Sequence, residues 1–290
     1  MLCGSIQKKQ FDRVRSFGFP LVYYQCERCG LVFQSTEESQ AVDPVFYAET
    51  YRKVYQASAE PTAKDLWVQS QRAAHLLSLL RGQNIPDSMR VLDVGASAGV
   101  LLAAFRKALG SDVMGVEPGD AYRAYAESQG IPMMASLDAL ISSNPERFEL
   151  ITMMHVLEHL PDPVKTLRML RTQLLAEDGY LLLEVPNFYA HDSYELAHLV
   201  CYTPHTLRET LRQGGFRVLK VWRHGVPRSA RLNLYLTILA QPLPDTNEIA
   251  PVKPERFVRL KRQAGMLYRR IIQKILPRQA WLPLPEDRED

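Results

Sequence analysis

The sequence predicts an α/β fold with a doubly wound sheet, and three observations carry this prediction. A short apolar strand at residues 91–94 is followed by small residues at alternate positions and then by an apolar helix that begins at Val100. A second apolar strand, at residues 112–116, ends at an acid. From Arg90 onwards, strand patterns and helical patterns alternate along the chain. Such alternation is typical of parallel strands in one sheet, with ligands bound outside their carboxyl ends.

Composition limits the classes of protein that fit. A chain of 290 residues with 46% hydrophobic and 23% charged residues is long enough for one well-buried domain with extensions. The net charge of +3 does not by itself indicate a nucleic-acid partner. No apolar run approaches the ~18 residues of a membrane span, and the N-terminus lacks the hydrophobic segment of a signal peptide. With four cysteines a disulfide framework is not expected, so we predict a cytoplasmic location.

The N-terminal 40 residues resemble a small zinc-binding module. Cys26 and Cys29 lie in a C-x-x-C-G turn between two β-prone runs, and this geometry places both thiolates on one side of the turn. Cys3 supplies a third ligand, in a half-knuckle whose first cysteine would fall just before Met1. Two interpretations stay open here: bound structural zinc, with the fourth ligand cut off by the assigned start, or a degenerate ribbon with free thiols.

Two helical segments are predicted between this module and the first strand of the sheet. Tyr47, Tyr51 and Tyr55 recur every four residues and share one helical face, which packs in the core or covers a ligand as a lid. Residues 61–80 form a longer amphipathic pattern that Gly82 ends. The chain is therefore divided into a ribbon-like module (1–40), a helical cap (41–84), a ligand-binding domain (85–241) and a C-terminal extension (242–290).

The turn that follows the first strand admits three chemistries. Its small residues, Gly95, Ser97 and Gly99, do not have the G-x-G-x-x-G spacing of a nicotinamide site. Glu117 ends the next strand about 20 residues further on, where an acid holds a ribose diol. Gly95 to Gly99 also matches the G-x-S-x-G elbow of serine hydrolases, with Ser97 as nucleophile. The third chemistry is the binding of S-adenosylmethionine, because an acid, Asp93, precedes the turn.

The remaining elements continue the alternation and end at a second group of polar residues. Further strands are predicted at 131–134, 148–154, 180–185, 216–222 and 232–239, and helices at 121–129, 136–142, 163–175 and 203–214. His155, Glu158 and His159 follow the strand at 148–154 at positions i, i+3 and i+4, so a helical turn gathers them on one side. A histidine there is a candidate general base for a hydroxyl or amine that attacks a methyl group.

These motifs together resemble one family. Five features look like those of class I S-adenosylmethionine-dependent methyltransferases related to ubiquinone-biosynthesis O-methyltransferases. They are the turn with Glu117, the run V-L-E-H-L-P-D-P, the sequence V-P-N at 185–187, H-L at 198–199 and G-F at 215–216. The N-terminal module resembles a bacterial subset that carries a zinc-ribbon extension. The resemblance implies a Rossmann-like seven-stranded sheet and methylation of a small molecule, glycan or secondary-metabolite intermediate on oxygen, carbon or nitrogen.

The resemblance also implies roles for residues. Asp93 and Gly95 would hold the methionine part of the cofactor, together with the turn residues Ser97 and Gly99, and Glu117 would hold the ribose. Ser136 and Leu137 would lie beside the adenine, and the backbone of His155 beside the methionine end. The family's E-x-x-E-H motif is associated with a divalent metal, but His155 replaces its first acid here, so a catalytic magnesium is not expected. Two alternatives remain: the serine hydrolase and a non-catalytic binding protein of the same fold.

The C-terminal extension contains a basic amphipathic helix after a proline-rich linker. Apolar residues recur at helical spacing between 255 and 275, and seven arginines and lysines surround them. We expect this helix to dock on its own domain or on a second subunit in a homodimer, or to contact an anionic membrane peripherally.

Overall fold

The computed structural model describes residues 2–16, 18–35, 60–83, 85–244 and 249–285. The tyrosine-rich segment predicted as a lid, with Tyr47, Tyr51 and Tyr55, lies outside these residues.

A small antiparallel sheet is formed by the N-terminal residues. Its first three strands are β1 (Lys8–Ser16), β2 (Phe19–Cys26) and β3 (Val32–Gln34), and the fourth, β9 (Val200–Cys201), comes from the middle of the chain. The sequence analysis did not predict β1, because polar residues dominate it and Phe11 is its one buried side chain. Since β9 completes this sheet, the N-terminal residues share a continuous core with the rest of the protein.

The main sheet has seven strands in the order β10-β11-β8-β7-β4-β5-β6. Its first half is built from α1 (Ala63–Leu80), β4 (Arg90–Val94), α2 (Val100–Leu109), β5 (Asp112–Val116), α3 (Asp120–Ser128), β6 (Met133–Met134) and α4 (Leu137–Ser142). These bounds lie within about two residues of those predicted. The parallel pairing of β4 with β5 and β7 brings their carboxyl ends to one edge of the sheet.

The second half departs from the prediction in two places. It comprises β7 (Phe148–Met154), α5 (Pro163–Met169), β8 (Leu175–Pro186), α6 (Pro204–Gln213), β10 (Phe216–His224) and β11 (Tyr235–Pro242). The sheet is mixed rather than wholly parallel, because β11 runs antiparallel to both β8 and β10. β8 begins at Leu175 and not at Tyr180, since one π-helical turn ends the preceding helix early and the chain re-enters the sheet through a bulge.

Two C-terminal helices complete the described chain, α7 (Val258–Ile275) and α8 (Pro277–Ala280). Gly265 lies where α7 passes the loop after β8, and a Cβ there would overlap the carbonyl oxygen of Tyr189. A glycine is therefore required for this close approach. None of the described helices is long and apolar enough to cross a membrane.

Candidate active site

The glycine turn joins β4 to α2 at the carboxyl edge of the main sheet. Gly95 and Gly99 have φ angles of 76° and 72°, in the left-handed region that glycine adopts without strain. A Cβ at Gly95 would overlap Cγ2 of Val156, so side chains are excluded there. Ser97 also has a positive φ, of 50°. The turn therefore exposes backbone groups at the start of α2, as a bound ligand requires.

Glu117 lies at the end of β5, where the sequence analysis expected it. Only 4% of the residue is exposed, and its carboxylate spans the turn: Oε2 accepts from the amide of Ser97 at 2.9 Å and Oε1 from the amide of Gly119 at 2.8 Å. This geometry fits the ribose diol of a nucleoside cofactor.

Asp93 ends β4 next to Glu117 and is 3% exposed. Its Oδ1 accepts a hydrogen bond of 2.7 Å from the hydroxyl of Thr152. Burial raises the pKa of Asp93 to about 7, the Glu117 carboxylate also acts to raise it, and the Thr152 bond opposes both. Two buried acids thus lie on neighbouring strands at the point where the turn opens.

Ser136 and Leu137 lie at the N-terminus of α4, beyond β6. The hydroxyl of Ser136 caps this helix by accepting from the amide of Ala139 at 3.1 Å, and Leu137 is half-buried. This arrangement explains Ser136 as a helix cap, and the role beside an adenine stays a prediction.

His155 lies directly after β7, between two buried carboxylates. Its Nε2 is 3.1 Å from Glu184 Oε1, and its Nδ1 is 3.4 Å from Glu158 Oε1. Burial and the Arg72 guanidinium disfavour the imidazolium, but the hydrogen bonds with Glu158 and Glu184 outweigh them and raise the pKa of His155. Both ring nitrogens therefore face carboxylate oxygens, with Nε2 within hydrogen-bond distance of Glu184.

Glu184 is a site residue that the sequence analysis missed. It is fully buried near the end of β8, where Oε1 also contacts Nε of Arg72 at 3.0 Å and Oε2 accepts from Thr237 at 2.8 Å and faces Nε2 of His224 at 3.1 Å. Burial acts to raise the pKa of Glu184, but the bonds from His155 and His224 dominate and hold it well below its usual range. An acid inside an otherwise apolar strand was the available signal, because such a residue needs partners when it is buried.

Glu158 and His159 occupy a short 3₁₀ turn, and the fold brings His198 beside them. Nδ1 of His159 is 2.8 Å from the carbonyl oxygen of Ala197, and Nδ1 of His198 is 3.2 Å from that of Ser193. Each Nδ1 faces a carbonyl oxygen and must carry the proton, so Nε2 is the basic nitrogen of both rings. Glu158, His159 and His198 each place one potential ligand atom within 4.8 Å of the other two.

The charges within this group are set by burial and by mutual contact. Burial lowers the pKa of His159 to about 4 although the Glu158 carboxylate opposes it, so the ring is neutral at pH 7. Burial would raise the pKa of Glu158, but the neighbouring imidazoles, His155 first, lower it to about 2. Two nitrogens and one carboxylate do not fit magnesium, which prefers oxygen ligands, and both ring nitrogens of His155 are already engaged.

The alternative interpretation of Ser97 as a hydrolase nucleophile lacks its partners. The Ser97 hydroxyl accepts a long bond of 3.4 Å from the amide of Gln69 on α1. No histidine among the described residues is hydrogen-bonded to Ser97, and a nucleophilic serine needs such a base. Ser97 instead contributes its backbone amide to Glu117.

The cysteines predicted as metal ligands meet in the small sheet. The sulfur atoms of Cys3, Cys26 and Cys29 lie within 4.8 Å of one another, and Cys3 and Cys26 are 3.5 Å apart. The left-handed Gly30, with φ of 81°, closes the turn after Cys29. These spacings fit the S–S separation of about 3.8 Å in a tetrahedral zinc site. The described residues offer no fourth ligand atom to this cluster.

The fold and the site define a class of protein, and comparison with known proteins gives the family. A glycine turn flanked by two buried acids on neighbouring parallel strands defines an α/β enzyme that binds a nucleoside cofactor. Residues 67–221, more than half of the chain, match a family model described as a methyltransferase domain. The chain belongs to this methyltransferase family.

Individual relatives share only part of the chain. The ubiquinone biosynthesis O-methyltransferase of Actinobacillus pleuropneumoniae serotype 7 (strain AP76) is 33% identical over 135 residues, which are 41% of this chain and 57% of that protein. That of Pseudomonas fluorescens (strain SBW25) is 35% identical over 86 residues, 27% of this chain and 37% of that protein. The chain thus spans little more than half the length of the first of these curated relatives and about a third of the second.

A solved structure is also similar to this chain. The 1,6-didemethyltoxoflavin-N1-methyltransferase of Burkholderia thailandensis, with bound 1,6-didemethyltoxoflavin and S-adenosylhomocysteine, is 22% identical, with a TM-score of 0.48 over 62% of this chain and 82% of that one.

Proposed function

We propose that this methyltransferase methylates a hydroxyl oxygen of a small-molecule acceptor, a glycan or secondary-metabolite intermediate included. The named activity of the ubiquinone O-methyltransferases supports oxygen as the methylated atom. The observation that carries the proposal is the geometry of His159: its Nδ1 faces the carbonyl oxygen of Ala197 at 2.8 Å, so Nε2 is the basic nitrogen, and Nε2 lies 4.0 Å from the buried Glu158 carboxylate. A hydroxyl acceptor needs such a base, because its proton must leave as the new bond forms.

The donor side of the site consists of the turn and its two acids. The bound cofactor supplies an electrophilic sulfonium methyl group. Asp93 and Gly95 would hold its methionine part, Glu117 its ribose, and Ser136 and Leu137 its adenine. The close contact between Gly95 and Val156 keeps the turn in the shape that this binding requires.

The acceptor side consists of the residues that follow β7. His159 takes the proton of the acceptor hydroxyl on Nε2, and the Glu158 carboxylate stabilises the imidazolium that forms. The bond from Nδ1 to Ala197 holds the ring in the required tautomer. His155 acts differently: its two ring nitrogens face the carboxylates of Glu184 and Glu158, and it braces both side chains.

Calorimetry with S-adenosylhomocysteine and with NAD tests the donor side. We expect micromolar binding of the thioether and no binding of NAD. Glu117→Ala should lower the affinity for the thioether by at least about 10-fold, because it removes the hydrogen bonds between the carboxylate and the ribose hydroxyls. Glu127→Ala, on the exposed face of α3, is the matched control. Equal affinity in wild type and Glu117→Ala contradicts this assignment.

Turnover tests the acceptor side. With radiolabelled S-adenosylmethionine and a panel of phenols and catechols, we expect O-methylated product, and a rate about 10²- to 10⁴-fold lower in His159→Ala with S-adenosylhomocysteine binding retained. Unchanged turnover in His159→Ala, or methylation of amines alone, contradicts the proposal.

We also propose that Cys3, Cys26 and Cys29 bind a structural zinc ion. The mutual sulfur distances and the glycine that closes the turn support this proposal. Metal analysis of the purified chain should give about one zinc per protein, lost in Cys26→Ser and retained in Cys201→Ser, the matched control outside the cluster. If wild-type protein is purified without zinc and does not bind added zinc, the N-terminal module is a degenerate ribbon with free thiols.

A further inference from the structure

The exposed apolar surface of the protein is concentrated on α7. Of the nine large hydrophobic side chains that are exposed among the described residues, six lie between 257 and 275. Five of these recur at spacings of three and four, or of seven across Ala264, and share one face of the helix. We call them the apolar stripe: Phe257, Leu260, Leu267, Ile271 and Ile275, exposed by 73%, 64%, 56%, 45% and 66%.

A different face of α7 attaches the helix to the protein. Val258 and Arg262 are buried, and the Arg262 guanidinium donates to the carbonyl oxygens of Phe188 and His191. Gly265 allows the helix to touch the backbone of the loop that follows β8. Because the attached face is already occupied, the apolar stripe is not the surface by which α7 docks on its own domain.

Cations lie along the edges of the apolar stripe. Arg256, Arg270 and Lys274 are exposed on one side, and Lys261 is exposed on the other. Within the described part of the chain, no acid forms an ion pair with Arg270 or Lys274. There is no aspartate or glutamate between residues 256 and 275. Lys261 pairs with Glu255 at 3.1 Å. The exposed surface of α7 is therefore apolar in the middle and positive along the edge that carries Arg256, Arg270 and Lys274.

An apolar stripe of this kind could bind a second copy of the chain or a lipid bilayer, and the charge pattern favours one of the two. Two copies of the chain that met through it would bring their cations together with no acid on either helix to compensate. A bilayer with anionic headgroups offers negative charge at the edges and hydrocarbon at the centre. We propose that α7 docks this methyltransferase on an anionic lipid bilayer through the apolar stripe, a property that goes beyond the reaction proposed above and does not depend on it.

The attachment of α7 places this surface close to the acceptor side of the site. Arg262 and Arg269 both donate to carbonyl oxygens of the loop at residues 188–191. The ring of His191 in that loop packs on Tyr235, whose ring in turn meets the edge of His155 at 5.1 Å. α7 is therefore connected through this loop to the residues of the acceptor side.

Vesicle sedimentation of the full chain tests the proposal. We expect the protein to bind vesicles of phosphatidylcholine with about 30% phosphatidylglycerol at least ~10-fold more tightly than pure phosphatidylcholine vesicles, and to bind less tightly as salt is raised. Leu267→Glu/Ile271→Glu should abolish this binding. Gln263→Glu/Gln273→Glu, the matched control, makes the same change in charge but keeps the apolar stripe and should retain measurable binding. Arg270→Gln/Lys274→Gln should weaken binding roughly 10- to 30-fold.

Three results overturn the proposal. The first is wild-type protein that stays in the supernatant with anionic vesicles while it still binds S-adenosylhomocysteine. The second is a dimer in light scattering that Leu267→Glu/Ile271→Glu converts to a monomer, because a second copy then covers the stripe. The third is protection of the stripe from hydroxyl-radical labelling in vesicle-free monomers, which would show that another segment of the chain covers it. All of the substituted residues are exposed except Gln273, which is half-buried, and equal melting temperatures confirm that the variants are folded.

Discussion

At the scale of single residues, Asp93 opposes the stability of the ligand-free protein. Its pKa rises from 3.8 to about 7 on folding, so the folded state binds the proton more tightly. Stability from this group is therefore greatest near pH 4 and falls as the pH rises to about 7. Asp93→Asn should stabilise the ligand-free protein at pH 8 by roughly 1–3 kcal/mol and have little effect at pH 4, as measured by denaturant unfolding.

The same substitution should weaken S-adenosylhomocysteine binding, because an asparagine lacks the carboxylate charge that we propose holds the methionine part of the cofactor. Asp138→Asn, an exposed acid in the first turn of α4, is the control for the change in charge. Equal pH dependence of unfolding in wild type and Asp93→Asn would show that the Asp93 carboxyl is not the buried titrating group.

His155 provides the second prediction for single residues. Its contacts with Glu158 and Glu184 raise its pKa above 6.5, so its contribution to stability is present below pH 6.5 and is lost as the pH rises through the folded pKa. Glu184→Gln removes one of these charges and should lower the pKa of His155, as followed by the NMR titration of its ring. Glu209→Gln, which contacts Arg212 and not His155, should leave the titration unchanged. A His155 pKa that is equal in wild type and Glu184→Gln would contradict the bracing role of Glu184.

At the scale of elements, the position of α7 depends on one glycine. Alanine is better than glycine in a helix by about 1 kcal/mol, so Gly265→Ala would stabilise an isolated helix. In the protein a Cβ would overlap the backbone oxygen of Tyr189, and the helix must shift. We expect a net loss of about 1–3 kcal/mol in unfolding free energy, with faster amide exchange in α7. Gln263→Ala, on an exposed turn of α7, should be neutral or slightly stabilising, and a similar gain in Gly265→Ala would contradict the close approach.

Elements with strong local signals could be predicted from the sequence. The strand, turn and helix from Arg90 to Leu109 are defined by an apolar run and two glycines within a few residues. β1 was missed because its pairing with β2, and not its own polarity, makes it a strand. The antiparallel direction of β11 likewise depends on how the chain connects one element to the next, and no local sequence pattern encodes it.

At the scale of the whole molecule, the site residues that the sequence did not reveal depend on contacts between distant segments. Glu184 has meaning only with Arg72, which is 112 positions away, and His198 only with the turn at 158–159. The cofactor side, in contrast, is local: Asp93, Gly95 and Glu117 belong to two successive strands. The candidate cofactor residues, and also His155, Glu158 and His159, could therefore be predicted from spacing, whereas distant partners such as Glu184 required the fold.

The small N-terminal sheet is connected to the acceptor half through Gln34. Its side-chain amide, 3% exposed, donates to the carbonyl oxygens of Glu195 and His198, each at 2.8 Å, and to the Tyr23 hydroxyl at 3.0 Å. This loop carries the carbonyl of Ala197 that orients His159. The N-terminal sheet therefore holds the segment that sets the tautomer of the proposed base.

Gln34→Ala removes these bonds and leaves the carbonyl groups of Glu195 and His198 with the Tyr23 hydroxyl as their remaining donor. We expect turnover to fall by about 10-fold or more, because the ring of His159 loses its fixed orientation. S-adenosylhomocysteine affinity should stay within about 2-fold of wild type, since the donor side lies on β4 and β5. Gln10→Ala, an exposed residue of β1 in the same sheet, should change neither quantity. A parallel loss of cofactor affinity and turnover would mean that Gln34 supports the fold as a whole, and that the N-terminal sheet does not act on the acceptor side alone.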